Sequence, residues 1–266
     1  DDDDDDDDAS DDDSGESDSG ESEDGEELDF PDQSEEHFKE ILLSGKSGYL
    51  YKSDSLQIGL KMICGVSHEV KMKIFFGNKT SDDLENVNIT FDCPPGVVIR
   101  KAKNEPFTVA AKSQDPQFLK VDCSRPFSEA PTMNISFTVD GDEEEFSCKL
   151  PVLVNKFFSP YECDASKFKE NWGKITAEAR EIIAIEDGDD LIDKVPDLFH
   201  MHKVDMKAAV CPLVGLFNVS KDGNPIKMPI MGSVAVKGSK CQVIFRSKHI
   251  SVAQAALDAF KATFGS

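Results

Sequence analysis

The chain has 266 residues, a net charge of −23 and a hydrophobic fraction of 39%, which is room for one large domain or two small ones. Residues 1–36 hold 22 of the 52 Asp and Glu and neither Lys nor Arg, so residues 37–266 carry 30 acids against 29 basic residues. A near-neutral body without a basic stripe excludes nucleic acid and anionic lipid as natural partners, and no apolar run approaches the roughly 20 residues that span a bilayer.

The acidic stretch comes first. It joins an Asp homopolymer to Ser and Gly with almost nothing apolar, a composition that cannot offset its conformational entropy by burial and so reads as disordered. Leu28 and Phe30 in "ELDFPD" are its only hydrophobic handholds, and a solvated spacer outweighs a ligand motif as the reading. Ser10, followed by Asp11, Asp12 and Asp13, fits an acid-directed kinase site. "HFKEILLS" at 37–44 suits a short helical or sticky lead-in, and the hinge is expected to cover 1–44.

From Tyr49 the hydrophobic period becomes two. Leu56, Ile58, Leu60 and Met62 alternate with polar or small residues, as do Val87, Ile89, Phe91 and Cys93, and Met133, Ile135, Phe137 and Val139. With runs at 71–76, 117–123, 145–150 and 152–154, this predicts about seven short strands. "GNKTSDD", "CPPG", "SRPFSEAP" and "DGDEEE" punctuate them as turns. Such a pattern predicts an antiparallel β-sandwich over 45–155.

A mixed α+β subdomain is expected over 156–266. Asp164 is placed to cap a helix bearing Phe168 and Trp172, with Gly173 to end it. A second helix is predicted from Thr176 to about Ile185. Strand-like runs follow at 208–219, 229–236 and 241–246. Ser251 and Gln254 form a capping box for a last helix with Ala253, Leu257, Phe260 and Phe264 along one side. Phe168 and Trp172, four apart, share a helix face, and Trp172 is the single Trp in the chain. Either it plugs the helix onto the sheet or it stands partly exposed as a pocket wall.

Catalytic and metal chemistry find little support. His200 and His202 would share a strand face, but nothing completes a ligand set. "DGDEEE" at 140–145 and "DGDD" at 187–190 lack the Gly and Glu of a calcium loop and read as charged turns. No phosphate loop, dinucleotide fingerprint or nucleophile elbow is present. No metal or cofactor is expected, nor an enzyme. The seven cysteines, Cys64, Cys93, Cys123, Cys148, Cys163, Cys211 and Cys241, form no CxxC pair and read as reduced core thiols of a cytosolic protein. Asn78, Asn88, Asn134 and Asn218 each open an N-x-[ST] triplet, the one signal for a secreted immunoglobulin-like fragment.

"LQIGLK" (56–61), "FFGNKTS" (75–81), "FSEAP" (127–131) and "KLPVLVNKFFSP" (149–160) resemble the appendage of alpha-adaptin, the large subunit of the endocytic clathrin adaptor. The likeness runs from about 50 to 185 and resumes near "RSK" at 246–248. It implies an immunoglobulin-like sandwich followed by a platform, behind a long hinge. It implies a module that binds short aromatic and acidic motifs in disordered endocytic accessory proteins at coated pits. That work belongs on the cytosolic face of the plasma membrane, without insertion into it, with other adaptor subunits and clathrin reached through the rest of a longer chain. On the platform, the resemblance assigns peptide binding to Trp172 beside Phe168, with Glu181 and Arg246. Lys169 and Gln242 stand where the family has a phenylalanine and an arginine, and Lys237 is the nearest candidate for a second arginine. On the side of the sandwich it assigns Lys61, Phe75 and Gln114. Phe75 and Phe76 are adjacent in a strand, so one must face the core and the other outward. An appendage of another coat, beta-adaptin or the COPI gamma subunit, is the alternative.

Overall fold

The computed structural model describes residues 34–65, 67–186, 190–206 and 210–266. The acidic stretch 1–33, most of "DGDD" at 187–190 and the start of the run at 208–219 lie outside the described residues. The lead-in is a helix of the body, α1 (Glu35–Ser44), whose N-cap Ser34 accepts from the His37 amide and whose Ile41 and Leu42 are buried. Residues 34–44 therefore belong to the body, although the hinge was expected to cover 1–44.

Alternation builds the first half. The strands are β1 (Ser47–Lys52), β2 (Leu56–Ile63), β3 (Glu69–Asn78), β4 (Leu84–Asp92), β5 (Val97–Lys101), β6 (Phe107–Val109), β7 (Gln114–Cys123), β8 (Thr132–Val139) and β9 (Asp142–Lys149). They form a five-stranded sheet in the order β1-β2-β3-β7-β5 and a four-stranded sheet in the order β6-β4-β8-β9, every pairing antiparallel. Along β3 the even positions Val70, Met72, Ile74 and Phe76 are buried and the odd ones are not. The buried parity meets Val87, Ile89, Met133, Ile135 and Phe137 of the second sheet in one core, a sandwich of immunoglobulin-like layout. "DGDEEE" opens with the β8–β9 hairpin turn, where Asp140 and Gly141 both take positive φ, as a two-residue type I′ turn requires.

The second half holds a six-stranded sheet. A 3-10 turn (Val154–Phe157) leads into β10 (Phe158–Pro160), α2 (Ala165–Lys174), β11 (Ala177–Ala184), α3 (Leu191–Leu198), β12 (His202–Lys203), β13 (Cys211–Lys221), β14 (Asn224–Lys237), β15 (Lys240–Ser247) and α4 (Ile250–Phe264). The sheet order is β10-β13-β14-β15-β11, with β12 also beside β13. α4 packs on one face, where Phe260 meets Phe199 and Phe245 and Phe264 meets Phe199 at centroid separations of 5.7–6.3 Å.

Four local expectations are corrected. Residues 177–184 are a strand, not a helix: all eight pair with β15, and burial of Ala179 and Ile183 under α4 overrides the helical preference of Ala and Glu. "VLV" runs into the 3-10 turn, whose residues are all buried. α3, with Pro196 inside it, was not expected. The last helix starts at Ile250 with His249 as N-cap and no side-chain cap bond, so Ser251 lies within its first turn and Gln254 bonds Asp258 instead.

The two halves share one continuous core, and the 3-10 turn is their seam. Lys156, 1% exposed, donates from Nζ to the Gly45 carbonyl, and Asn155 donates to the Leu198 carbonyl. Asn218 of β13 donates to the Phe157 carbonyl. Beside Lys156, Cys64 Sγ lies 3.2 Å from Nε2 of His200, which sits in a turn at φ 50 rather than in a strand. All seven cysteines are free thiols; burial pushes Cys123 and Cys148 up to about 12 and Cys241 up to about 11, far from the reactive thiolate range.

Leu42 is 1% exposed, so Leu42→Ala is expected to lower the unfolding free energy by about 2–5 kcal/mol, read by urea titration. A hinge-like α1 would show no change. The seam sets a pH dependence. Burial, then the charges of Lys156 and Lys46, pushes His200 down from 6.5 to about 4. Between those values the unfolded chain takes up a proton that the folded chain refuses, so stability falls as pH drops through that window. His200→Asn removes the titration and tolerates the positive φ. Its urea midpoint should fall less than the wild type's between pH 7 and 4.5.

Candidate functional site

The pleat of the five-stranded sheet decides what its outer surface shows. Phe76 is fully buried and meets Phe107 edge-on at 5.4 Å, so Phe75 turns outward. Register lines up Tyr49, Gly59, Phe75 and Pro116 in one row across β1, β2, β3 and β7, and Lys61, Lys73 and Phe118 in the next. Gln114 pairs with Gly77 in the row on the other side of Phe75. Lys61, Phe75 and Gln114 thus share one face, as the resemblance implies.

Gly59 leaves this row without a side chain between Tyr49 and Phe75. A Cβ there would meet Phe75 at 3.8 Å and Tyr49 at 4.0 Å, so its absence opens a slot between two aromatic walls. The ammonium of Lys73 lies 4.7 Å from the Phe75 ring centroid and 5.3 Å from that of Phe118, and Lys61 lies 5.9 Å from Phe75. Cations over π-faces at such distances are attracted by the ring quadrupole. Neither lysine pairs with a carboxylate among the described residues. Tyr49 and Phe118 are 58% and 54% exposed, so the face combines uncovered aromatic area with unneutralised positive charge.

Sequence reasoning missed Tyr49, Gly59, Lys73 and Phe118. The signals were there: aromatics at the polar phase of alternating strands, and an isolated Gly inside a strand.

A second aromatic surface lies on the platform face opposite α4. The α2 N-cap Asp164 accepts from the Lys167 amide, which holds its carboxyl below the usual range. The helix seats Phe168 among Val204, Val214 and Met231. Trp172 stacks on Phe168 at 5.4 Å and remains partly exposed. The Arg246 guanidinium lies 4.4 Å from the Trp172 ring centroid. Its Nη1 donates to the Trp172 carbonyl at 2.6 Å, and its Nε and Nη2 reach Glu178 Oε2 at 2.7 and 2.6 Å. Arg246 is therefore a clamp that joins helix, strand and carboxylate.

Glu181 is not part of that surface. It has the opposite strand parity from Glu178, faces α4 and pairs with Lys261 at 3.0 Å. Glu178, directly opposite Arg246 in the register, is the acid beside Trp172. Gln242 lies on the Trp172 face, exposed, opposite Ile182, itself 66% exposed. Lys169 is exposed on α2, and Lys237 is exposed at the end of β14. A cavity of about 600 Å³ on the flank of α2 is lined by Tyr161, Ile175, Leu216 and Pro229 among others, without Trp172.

Among the described residues no three His, Cys, Asp or Glu side chains converge as metal ligands, and no helix is long and apolar enough to cross a membrane.

Residues 46–151 match the family model of the adaptin C-terminal domain. The chain is 25% identical over 210 residues to the AP-2 complex subunit alpha-2 of Dictyostelium discoideum, a match covering 76% of this chain and 21% of that protein. The chain thus spans about a fifth of that relative's length. Among solved structures it overlaps the GAE domain of GGA2p from Saccharomyces cerevisiae at a TM-score of 0.36 and 13% identity, covering 40% of this chain and 96% of that one. The yeast GGA1 GAE domain overlaps at a TM-score of 0.32 and 21% identity, over 40% and 100%.

The clamp yields a prediction. Arg246→Met releases Trp172 and Glu178 together while leaving the α4 face intact. With Trp172 the single indole, native emission should shift to longer wavelength without loss of the far-ultraviolet circular dichroism signal. Unchanged emission would show that Phe168 alone holds the ring.

Proposed function

We propose that this chain, an adaptin appendage of the AP-2 alpha type, captures short aromatic peptide motifs on the outer face of its sandwich and so gathers accessory proteins at a forming coat. The observation that carries the reading is Phe75, turned outward beside the Gly59 slot under two lysines without acid partners. An extended peptide can lay an aromatic side chain on that floor while its own carboxylates meet Lys61 and Lys73. Gln114, one row away, offers an amide to the peptide backbone.

The platform serves as a second, weaker surface. Trp172 is a favoured type of anchor residue, but the Arg246 fork beside it already holds Glu178 and a backbone carbonyl. A peptide carboxylate arriving there finds Gln242 and Lys169 in place of a free guanidinium and a second aromatic wall. Loss of a bidentate donor weakens carboxylate recognition, so this face favours aromatic over acidic features.

The likeness to an AP-2 alpha subunit supports a role at the cytosolic face of the plasma membrane, at clathrin-coated pits, over one on the coats of beta-adaptin or the COPI gamma subunit. Other adaptor subunits and clathrin are partners of the longer assembly. The role is a binding one, without chemistry on the ligand.

Phe75→Ala removes one wall and both cation–π contacts. It should weaken a synthetic peptide with two spaced phenylalanines by at least about 1 kcal/mol, roughly fivefold, by fluorescence anisotropy. Trp172→Ala should leave that peptide unaffected. Equal losses in both variants, or none in Phe75→Ala, would sink the assignment to the sandwich.

A further inference from the structure

Among the described residues the outer face of the sandwich ends at β1, and α1 packs against that same edge. β1 is the terminal strand of its sheet. Nε2 of His37 lies 3.0 Å from the Tyr49 carbonyl of β1, and Ser34 caps the helix one turn before. Ser34, the first described residue, is thus one helical turn from the His37 that bonds the Tyr49 carbonyl.

The residues just upstream, Glu26 to Asp32, read Glu-Glu-Leu-Asp-Phe-Pro-Asp. They are the one stretch of the acidic segment with large apolar side chains, Leu28 and Phe30. Phe30 precedes Pro31, which biases it toward extended backbone, the conformation that suits a sheet face. Charge is complementary: four acids in seven residues approach a face whose Lys61 and Lys73 have no carboxylate partner among the described ion pairs. The linker is of the same scale as the face. Phe30 is four residues from Ser34, about 13 Å of extended chain, whereas Tyr49 and Phe75 are two strand spacings apart, about 10 Å.

Resting on the reading of this face as a peptide groove, we infer that residues 26–32 of the same chain dock there, with Phe30 between Tyr49 and Phe75 and its flanking acids on Lys61 and Lys73. A tethered segment presents itself at an effective concentration in the millimolar range. Even a weak intramolecular contact then competes with an outside peptide, and only ligands with better aromatic spacing displace it. The acidic segment becomes a threshold for recruitment as well as a spacer.

The test uses the full chain, wild type against Phe30→Ala. Backbone amide shifts of Gly59, Lys61, Lys73 and Phe75 are compared by NMR, and a labelled synthetic peptide with two spaced phenylalanines is titrated against both proteins. Docking predicts amide differences confined to this face. It predicts that the peptide binds Phe30→Ala on the order of 2- to 10-fold more tightly, for a segment affinity equal to or ten times tighter than its effective concentration. Identical amide shifts overturn the inference, as do shifts located elsewhere. Shift differences that vanish on dilution overturn it as well, because the occupant is then the segment of a second copy. If the peptide binds neither protein while the four amides move, self-docking stands and the capture of outside peptides fails. If the peptide binds both equally and the amides coincide, the reverse holds.

Discussion

Lys156 places an ammonium in the seam between sandwich and platform, and the arrangement of both halves depends on how that seam holds it. A buried cation is tolerated only with good hydrogen-bonding geometry, and here the acceptor is the Gly45 carbonyl at the end of α1. Burial pushes the Lys156 pKa down, the sign of a charge held at some expense. The neighbouring turn residues bind the end of α3 and the body of β13 through Asn155 and Phe157. Three separate stretches of backbone are thus tied to four consecutive residues, and the hydrophobic core runs through them without a break. The two candidate faces consequently sit on one framework rather than on two hinged domains.

On that framework, side-chain parity assigns roles. Phe75 and Phe76 are chemically identical, yet Phe76 is core and Phe75 faces outward. Glu178 and Glu181 differ in the same way: the first clamps Arg246 beside Trp172, and the second braces α4 through Lys261. The two aromatic surfaces then diverge in electrostatics. On the sandwich, lysines stand over partly exposed rings with no carboxylate partner among the described residues. On the platform, the one guanidinium near the indole is satisfied within the fold, and what remains is an aromatic patch with little directed charge. This difference is the physical ground for ranking the sandwich face above the platform face.

Sequence alone determined the alternating strands, the hairpin turn at Asp140-Gly141, the cap at Asp164, the order of sandwich and platform, and the kinship to alpha-adaptin appendages. These follow from local grammar: period-two burial, turn chemistry that needs positive φ, and strings of matched residues. It also selected Lys61, Phe75 and Gln114, which the pairing brings onto one face. What tertiary structure decided is where that grammar was ambiguous. Ala177 to Ala184 carries good helix formers and became a strand, because β15 offered eight pairing partners and α4 a surface to bury Ala179 and Ile183. Glu181 aligned with a site residue and pointed away from it, because a one-position choice of parity sends a strand side chain to the opposite face. Tyr49, Gly59, Lys73 and Phe118 lie in four different strands, so no linear pattern joins them. Only register, fixed by hydrogen bonding between strands far apart in sequence, makes them neighbours.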